Sequence, residues 1–249
     1  MTAHEPQIPS TRNECDISKT NTIIELFKIP RVQRDDKWNH VFYENVLTAG
    51  FASATPQVLT GPDGFPYFIL RTPQVNVPFE SFCIQNMKDD FLLNRGWGVV
   101  FNPAEDKTAD WVFTHGNILN LHLNNRFFTP VNADAIENIE FTKTVGVLKK
   151  AEQVMIAQPS ETYLPYTTRR ALKAFLQSKG IRKPKIMMLS SLNQGKITRK
   201  LAFNISPGDY PVISKLDYLM QQIGWFLPND YLIIPLAKNS DLAKGFNEL

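Results

Sequence analysis

KIMMLSSLNQGKITRKLAFNI, residues 185–205, decides the predicted fold of the second half of the chain. Lys185 to Leu192 is mostly apolar and bounded by a turn signal, which is typical of a β-strand. Asn193-Gln-Gly-Lys196 has the composition of a hairpin turn, and Thr198 to Ile205 is predicted to be the returning strand.

The elements on either side of this hairpin complete a βαββαβ order. A strand over Gln153 to Gln158 and an amphipathic helix over Leu164 to Ser178 are predicted before it. A helix beginning at Pro211 and a strand over Tyr231 to Ala237 are predicted after it. This order is that of the ferredoxin-like split motif, so residues 149–249 are predicted to form a ferredoxin-like domain.

The predicted strands of this domain are apolar on both of their faces, as in IMML at 186–189 and LII at 232–234. A sheet that is covered by helices on one side only should instead alternate apolar and polar residues. We therefore expect the second face to be covered as well, by the N-terminal half or by another copy of the protein.

The first half is predicted to be an α+β domain over residues 18–148, preceded by a flexible polar leader over residues 1–17. The whole chain is therefore assigned to the α+β class, with a hairpin at Gly61-Pro-Asp-Gly64. The other predicted elements of this half are helices over Ser18 to Lys28, over Asp35 to Leu47 and from Pro78 to Gly96, and strands over Gly98 to Asn102 and from Trp111 onward.

The segment from Glu152 to Phe246 resembles the C-terminal domain of the bacterial enhanced serine sensitivity protein family, the SseB-like proteins. The resemblance lies in the order of the elements, in the crossing GIRKPKIMML, in Leu227-Pro-Asn-Asp230 and in the tail AKNSDLAKGF. The family supplies no catalytic residues, so the resemblance implies a binding or regulatory role.

Composition excludes several classes of protein. The chain has 249 residues, of which 43% are hydrophobic and 20% charged, and its longest apolar runs are too short to cross a bilayer. The two cysteines, Cys15 and Cys83, have no neighbouring Cys or His at the spacing of a metal site, and no disulfide framework is indicated. We expect a cytoplasmic protein with no metal, no cofactor and no membrane association.

Charge is distributed unevenly along the chain, with a net −3 over residues 1–150 and +6 over residues 151–249. The basic second half is a candidate docking face for acidic partners, although a solvated surface is the simpler interpretation. Arg169, Arg170 and Lys183 are the candidate partner-binding residues of this half. Nucleic-acid binding is disfavoured, because the strand after the hairpin lacks the paired aromatic residues that stack on bases.

DWVFTHGNILNLHLNN, residues 110–125, is the stretch with the most polar residues of catalytic type. A structural interpretation is preferred: Trp111 anchors a core, His115 ends a strand, and Gly116-Asn117 makes a bend before further apolar residues. Trp111, His115 and Asn117 remain candidate ligand-binding residues, because turns at strand ends often carry binding groups.

No catalytic constellation is recognised in the sequence. The preferred hypothesis is a non-enzymatic regulatory protein that binds a protein partner or associates with itself. The alternative is an enzyme or small-ligand-binding protein with an inter-domain cleft near Trp111 and His115.

Overall fold

The computed structural model of the protein describes residues 14–74, 77–106, 108–130, 154–193 and 196–249. These residues contain helices and two mixed β-sheets, which confirms the predicted α+β class. Residues 1–13 of the predicted leader lie outside the described residues.

Two helices open the described chain, close to where periodicity predicts them. They are α1 (Ile17–Lys28) and α2 (Asp36–Val46). Aspartates begin both helices: the side chain of Asp16 accepts from the backbone N–H groups of Ser18 and Lys19, and that of Asp35 accepts from Trp38. The Asp16 backbone N–H also donates to Thr48 O over 2.8 Å, so this end of the predicted leader is part of the folded structure.

The first sheet, sheet A, has the strand order β1-β2-β3-β4. Its strands are β1 (Ala52–Thr60), β2 (Pro66–Arg71), β3 (Gly98–Phe101) and β4 (Trp111–Phe113). β1 and β2 form the predicted antiparallel hairpin, and Gly64 adopts a φ of +84° in its turn. β2 and β3 are parallel, and β4 returns antiparallel to β3.

The helix predicted from Pro78 begins later, at Ile84. Its turns are α3 (Ile84–Met87), a π-helical turn (Lys88–Leu92) and α4 (Leu93–Arg95). The prediction fails between Pro78 and Cys83 because Phe82 exchanges two backbone hydrogen bonds with Phe51, which holds this segment extended. Gly96 ends the helix in the left-handed conformation, as predicted.

The predicted bend at Gly116-Asn117 is wrong, because a helix begins there. α5 (His115–Asn124) follows β4 directly. Thr114 and Asn117 form a reciprocal capping box, in which each side chain accepts from the backbone N–H of the other residue. This cap starts a helix at the place where the glycine suggests a turn.

The second half has the predicted order of elements along the chain. They are β5 (Val154–Ala157), α6 (Tyr166–Ser178), β6 (Lys185–Asn193), β7 (Lys196–Phe203), α7 (Ile213–Gly224) and β8 (Leu232–Pro235). A short strand that was not predicted, β9 (Asn247–Glu248), follows them.

The ferredoxin-like arrangement of this half is a wrong prediction. In a split βαβ motif the two strands that a helix joins are parallel and another strand lies between them. Here β5 and β6, which α6 joins, are antiparallel neighbours, and sheet B has the order β5-β6-β7-β8. The order of elements along the chain is the same for both arrangements, so the pattern alone does not distinguish them.

α6 and α7 lie between the two sheets and share a core with both. Tyr67 and Val100 of sheet A belong to the same buried cluster as Leu172 of α6, Leu219 of α7 and Leu201 of sheet B. The opposite face of sheet A packs on the other helices through a second cluster. The two halves of the chain are therefore joined by one continuous core.

The second face of sheet B is covered by the C-terminal segment of the same chain, not by the N-terminal half or another copy. Met187 and Ala202 on this face are buried, and Leu242 and Phe246 pack against them. Gly245 lies so close that an added Cβ would be 3.1 Å from the Met187 sulfur. The apolar second face of sheet B therefore gives no reason to expect a partner outside the chain.

Candidate functional site

His115 is a buried residue at the junction of the two halves, not a side chain on the rim of a cleft. Its side chain is 0% exposed, and its Nε2 lies 3.2 Å from the Thr168 hydroxyl of α6. The ring also packs against Trp225 and Phe226, with centroid distances of 6.3 Å and 5.8 Å. Burial lowers its pKa from 6.5 to about 4, so His115 is neutral near pH 7.

Asn117 performs a local structural role on the same helix. Its Oδ1 accepts from the Thr114 backbone N–H over 2.8 Å, and its Nδ2 donates to Phe127 O over 3.4 Å. Both ends of the amide are therefore used inside the fold. This accounts for Asn117 without a ligand.

Trp111 belongs to an aromatic cluster on the helical side of sheet A. Its ring lies 4.9 Å from that of Phe42 and 5.5 Å from that of Trp38. The predicted role of Trp111 as an anchor of the core is confirmed. Its buried Nε1 has no hydrogen-bond partner among the described residues.

Asp110 forms an ion pair that the sequence gives no means of finding. Arg34 Nη1 donates to Asp110 O over 2.7 Å, and Arg34 Nη2 lies 3.3 Å from Asp110 Oδ1. Asn102 Nδ2 donates to the second carboxylate oxygen over 2.8 Å. Every member of this group is satisfied by protein atoms, so it stabilises the end of β3 and leaves no free acid or base.

The three candidate basic residues do not form one binding surface. Arg169 is buried and paired with Glu161, and Arg170 donates to Asn94 O at the end of α4 over 2.7 Å. Lys183 is exposed. Two of the three side chains therefore hold the fold together, and only Lys183 is free to meet a partner in solution.

Two open grooves on the described surface contain none of the predicted site residues. The α7 groove has a volume of about 450 Å³ and is lined by Lys179, Tyr210, Ser214, Lys215, Tyr218, Leu219 and Gln222. The α1 groove has a volume of about 470 Å³ and is lined by Ile17, Thr20, Asn21, Ile24, Pro73, Gln74, Val77, Pro78 and Phe79. The α7 groove carries two lysines beside two tyrosines, whereas ionisable side chains do not line the α1 groove.

Sheet B has an exposed apolar end that sequence reasoning missed. Met155 of β5 is 70% exposed, and Leu192 and Ile197, which pair across the β6–β7 hairpin, are 58% and 59% exposed. The register places these three residues on the face that α6 and α7 cover further along the sheet. We call Met155, Leu192 and Ile197 the open end of sheet B.

β5 is also an edge strand of sheet B within the described part of the chain. It pairs with β6 through Val154 to Ala157, and no described strand pairs with its other side. An edge strand presents unpaired N–H and C=O groups that can hydrogen-bond to another chain. The open end therefore combines exposed apolar side chains with an available backbone edge.

The described residues do not support a metal site or a membrane span. Across these ranges, His, Cys, Asp and Glu side chains form no group of three or more that could hold a metal ion. Likewise, none of the described helices combines the length and apolar character needed to cross a bilayer.

Comparison with known proteins finds no family model, no curated protein and no solved structure that matches this chain. The resemblance to the enhanced serine sensitivity protein family therefore stays a prediction.

Proposed function

We propose that this protein has no catalytic role and binds another protein chain through the open end of sheet B. The observation that carries the proposal is the exposure of Met155, Leu192 and Ile197 on one face, beside the edge of β5 that no described strand pairs with. Apolar side chains that cluster on a surface mark interaction sites more often than side chains that are exposed singly.

The form of recognition that fits this surface is strand addition. An extended segment of the partner would pair with the backbone of β5, which supplies affinity from main-chain hydrogen bonds. The apolar side chains of the open end would supply specificity by contacting alternate residues of the added strand. A second copy of this chain and an unrelated protein are both able to provide such a strand.

The contacts of the candidate polar residues support a binding function over a catalytic one. His115, Asn117, Asp110 and Arg169 are each engaged by neighbouring protein groups. A general base must reach the proton that it abstracts, and the enclosed His115 ring does not meet that requirement. A cytoplasmic location remains part of this proposal.

The proposal is tested by measuring mass and partner capture for Met155→Lys and Ile197→Lys. Light scattering after gel filtration would report self-association, and affinity capture from a cell extract would report another protein. We expect wild type to show one of these complexes and both variants to lose it, because each places a charge in the contact.

Val32→Lys is the matched control, because Val32 is 94% exposed and lies on the short helical turn Arg31–Gln33, outside both sheets. It should keep the complex. A monomeric wild type that captures nothing dependent on Met155 or Ile197 would refute the proposal.

A second candidate function, the binding of a small anionic ligand, is favoured by the α7 groove. Its volume of about 450 Å³ lies within the range of small-molecule sites. Lys179 and Lys215 supply positive charge, and Tyr210 and Tyr218 supply flat apolar surface. This site differs from the cleft near Trp111 and His115 that the sequence suggests.

The groove is tested by thermal-shift measurements with small phosphates and dicarboxylates. A ligand of this groove should raise the unfolding midpoint of wild type and not that of Lys179→Gln/Lys215→Gln. Lys37→Gln, an exposed change on α2, should respond like wild type. Equal shifts in all three proteins would exclude the groove.

A further inference from the structure

The fold brings together the two cysteines of the chain, which are 68 positions apart in sequence. Cys15 precedes Asp16, whose backbone N–H donates to Thr48 O over 2.8 Å. Cys83 follows Phe82, which exchanges backbone hydrogen bonds of 2.8 Å and 2.9 Å with Phe51. Both cysteines are therefore held next to residues that are fixed to the same stretch, 48–51.

Gly50 lies between the two fixed points and shows how closely the segments approach. A Cβ added at Gly50 would be 3.2 Å from Cys15 Cβ and would overlap the Ser81 hydroxyl. Cys15 Sγ itself lies 3.8 Å from Ser81 O. The absence of a side chain at Gly50 thus allows the Cys15 and 81–83 segments to meet above it.

The backbone directs Cys83 toward the same place. Cys83 has φ −122° and ψ 147°, an extended conformation. Phe82 pairs antiparallel with Phe51, so Cys83 lies opposite Gly50 and the two residues are directed to the same side. A Cβ at Gly50 would be 3.2 Å from Cys15 Cβ, and Cys83 therefore faces Cys15.

The pKa of the Cys83 thiol also reflects the proximity of Cys15. This pKa is raised to about 12, chiefly by burial and in addition by a hydrogen bond and coulombic repulsion from the Cys15 side chain. Cys83 is 1% exposed, whereas Cys15 is half-buried. Cys15 is thus the thiol that a reagent in solution reaches first.

We propose that Cys15 and Cys83 form a reversible intramolecular disulfide, which ties the segment before α1 to the segment before α3. Sequence spacing gives no sign of this pair, because two isolated cysteines carry no motif. The chain contains no third cysteine that could compete for either thiol.

A small-molecule disulfide, such as oxidised glutathione, is the oxidant class that the reaction needs. The Cys15 thiolate attacks one sulfur of the reagent, forms a mixed disulfide and releases the first small thiol. The Cys83 thiol then loses its proton and attacks Cys15 Sγ, which forms the protein disulfide and expels the second small thiol. The two cysteines are oxidised, and the reagent is reduced to two thiols.

The expected consequence is a redox-dependent cross-link that closes a loop over residues 15–83. The closed loop would contain α1, α2, β1 and β2. Closing so long a loop restricts the unfolded chain, so the oxidised protein should unfold at a higher temperature than the reduced protein. In a reducing compartment the pair would remain as thiols until the oxidant concentration rises.

The proposal is tested on the full chain in glutathione buffers of increasing oxidised fraction. Free thiols are counted after denaturation, and intact mass is measured in parallel. We expect both thiols to disappear together, with the loss of two hydrogen atoms, no retained glutathione and no dimer on a non-reducing gel. Peptide mapping should join the Cys15 peptide to the Cys83 peptide.

Two variants separate the steps. Cys83→Ser should accumulate glutathione on Cys15, because the resolving thiol is missing, while Cys15→Ser should keep its buried thiol free. Oxidation should raise the unfolding midpoint of wild type and leave that of both variants unchanged. Wild type that retains glutathione on Cys15 with Cys83 free, or that forms linked dimers, would overturn the proposal whether or not the variants fold.

Discussion

The backbone N–H of Gly116 donates a hydrogen bond of 2.9 Å to the carbonyl oxygen of Trp225. Gly116 lies in the first turn of α5, where backbone N–H groups have no partner within the helix, and Trp225 directly follows α7. The contact brings the two halves within hydrogen-bond distance at a point where a side chain would separate them. It explains why a glycine stands inside a helix.

Gly116→Ala should destabilise the protein, because the new Cβ would overlap the carbonyl oxygen of Leu227. Overpacking of this kind costs about 1–3 kcal/mol or more in the free energy of unfolding, measured by urea titration. Gly208→Ala is the control, since a Cβ there meets no atom within 4 Å, and its effect should stay within about 0.5 kcal/mol. Equal losses in the two variants would contradict the close approach.

His115 should make the stability of the protein depend on pH between about 6.5 and about 4. Its pKa is about 4 in the folded state and 6.5 as the ordinary value, so the unfolded chain binds the proton first as pH falls. Stability is therefore fully present above pH 6.5 and decreases toward pH 4, by up to about 3 kcal/mol.

His115→Gln should lose this part of the pH dependence, measured as the difference in unfolding free energy between pH 7 and pH 4.5. Carboxylates also titrate over this range, so the comparison with wild type carries the result. Gln33→Asn, an exposed change that removes no titratable group, should keep the wild-type slope. If His115→Gln keeps it as well, His115 is not the group responsible.

Asp110→Asn should lower the free energy of unfolding, because it removes the ion pair with Arg34 at the ends of β3 and β4. The Arg34 side chain is 6% exposed, so loss of its charged partner leaves a buried cation uncompensated, at a cost of about 3 kcal/mol. Glu25→Gln breaks the exposed pair with Lys28 and should cost less than about 1 kcal/mol. Urea unfolding of both variants measures the difference, and similar costs would argue against a buried pair.

Tyr67→Phe should leave the indole N–H of Trp225 without its partner. Trp225 Nε1 donates to the Tyr67 hydroxyl over 2.7 Å, and this hydroxyl donates to Asp63 over 2.5 Å. An unsatisfied buried donor costs about 1–3 kcal/mol, and tryptophan fluorescence should change with it. The exposed Tyr218→Phe should alter neither quantity, and an unchanged Tyr67→Phe would show that water replaces the hydroxyl.

Features with local causes could be predicted from the sequence. The turn Gly61-Pro-Asp-Gly64 supplies the dihedrals of a hairpin, and the hairpin is present. β6 and β7 likewise pair down to Asn193 and Lys196. The helices α1, α2, α6 and α7 follow their apolar periodicity, because each buries one side against a sheet.

Features with distant causes were predicted wrongly or not at all. The segment after Pro78 stays extended because Phe82 pairs with Phe51, and no local residue reports that pairing. The neighbours of a strand in a sheet depend on contacts across the whole chain, so sheet B differs from the ferredoxin-like order. For the candidate site, neither the burial of His115 against Thr168 nor the approach of Cys15 to Cys83 has a signal in sequence spacing.

Because α6 and α7 lie between the two sheets, the two halves of the chain should depend on each other even when the chain is cut between them. The side chains of these helices fill the interior beneath both sheets. Residues 14–130 and residues 154–249 would therefore each expose apolar core surface in the absence of the other part. A single cut between residues 130 and 154 should therefore yield two fragments that co-purify and that refold only when mixed.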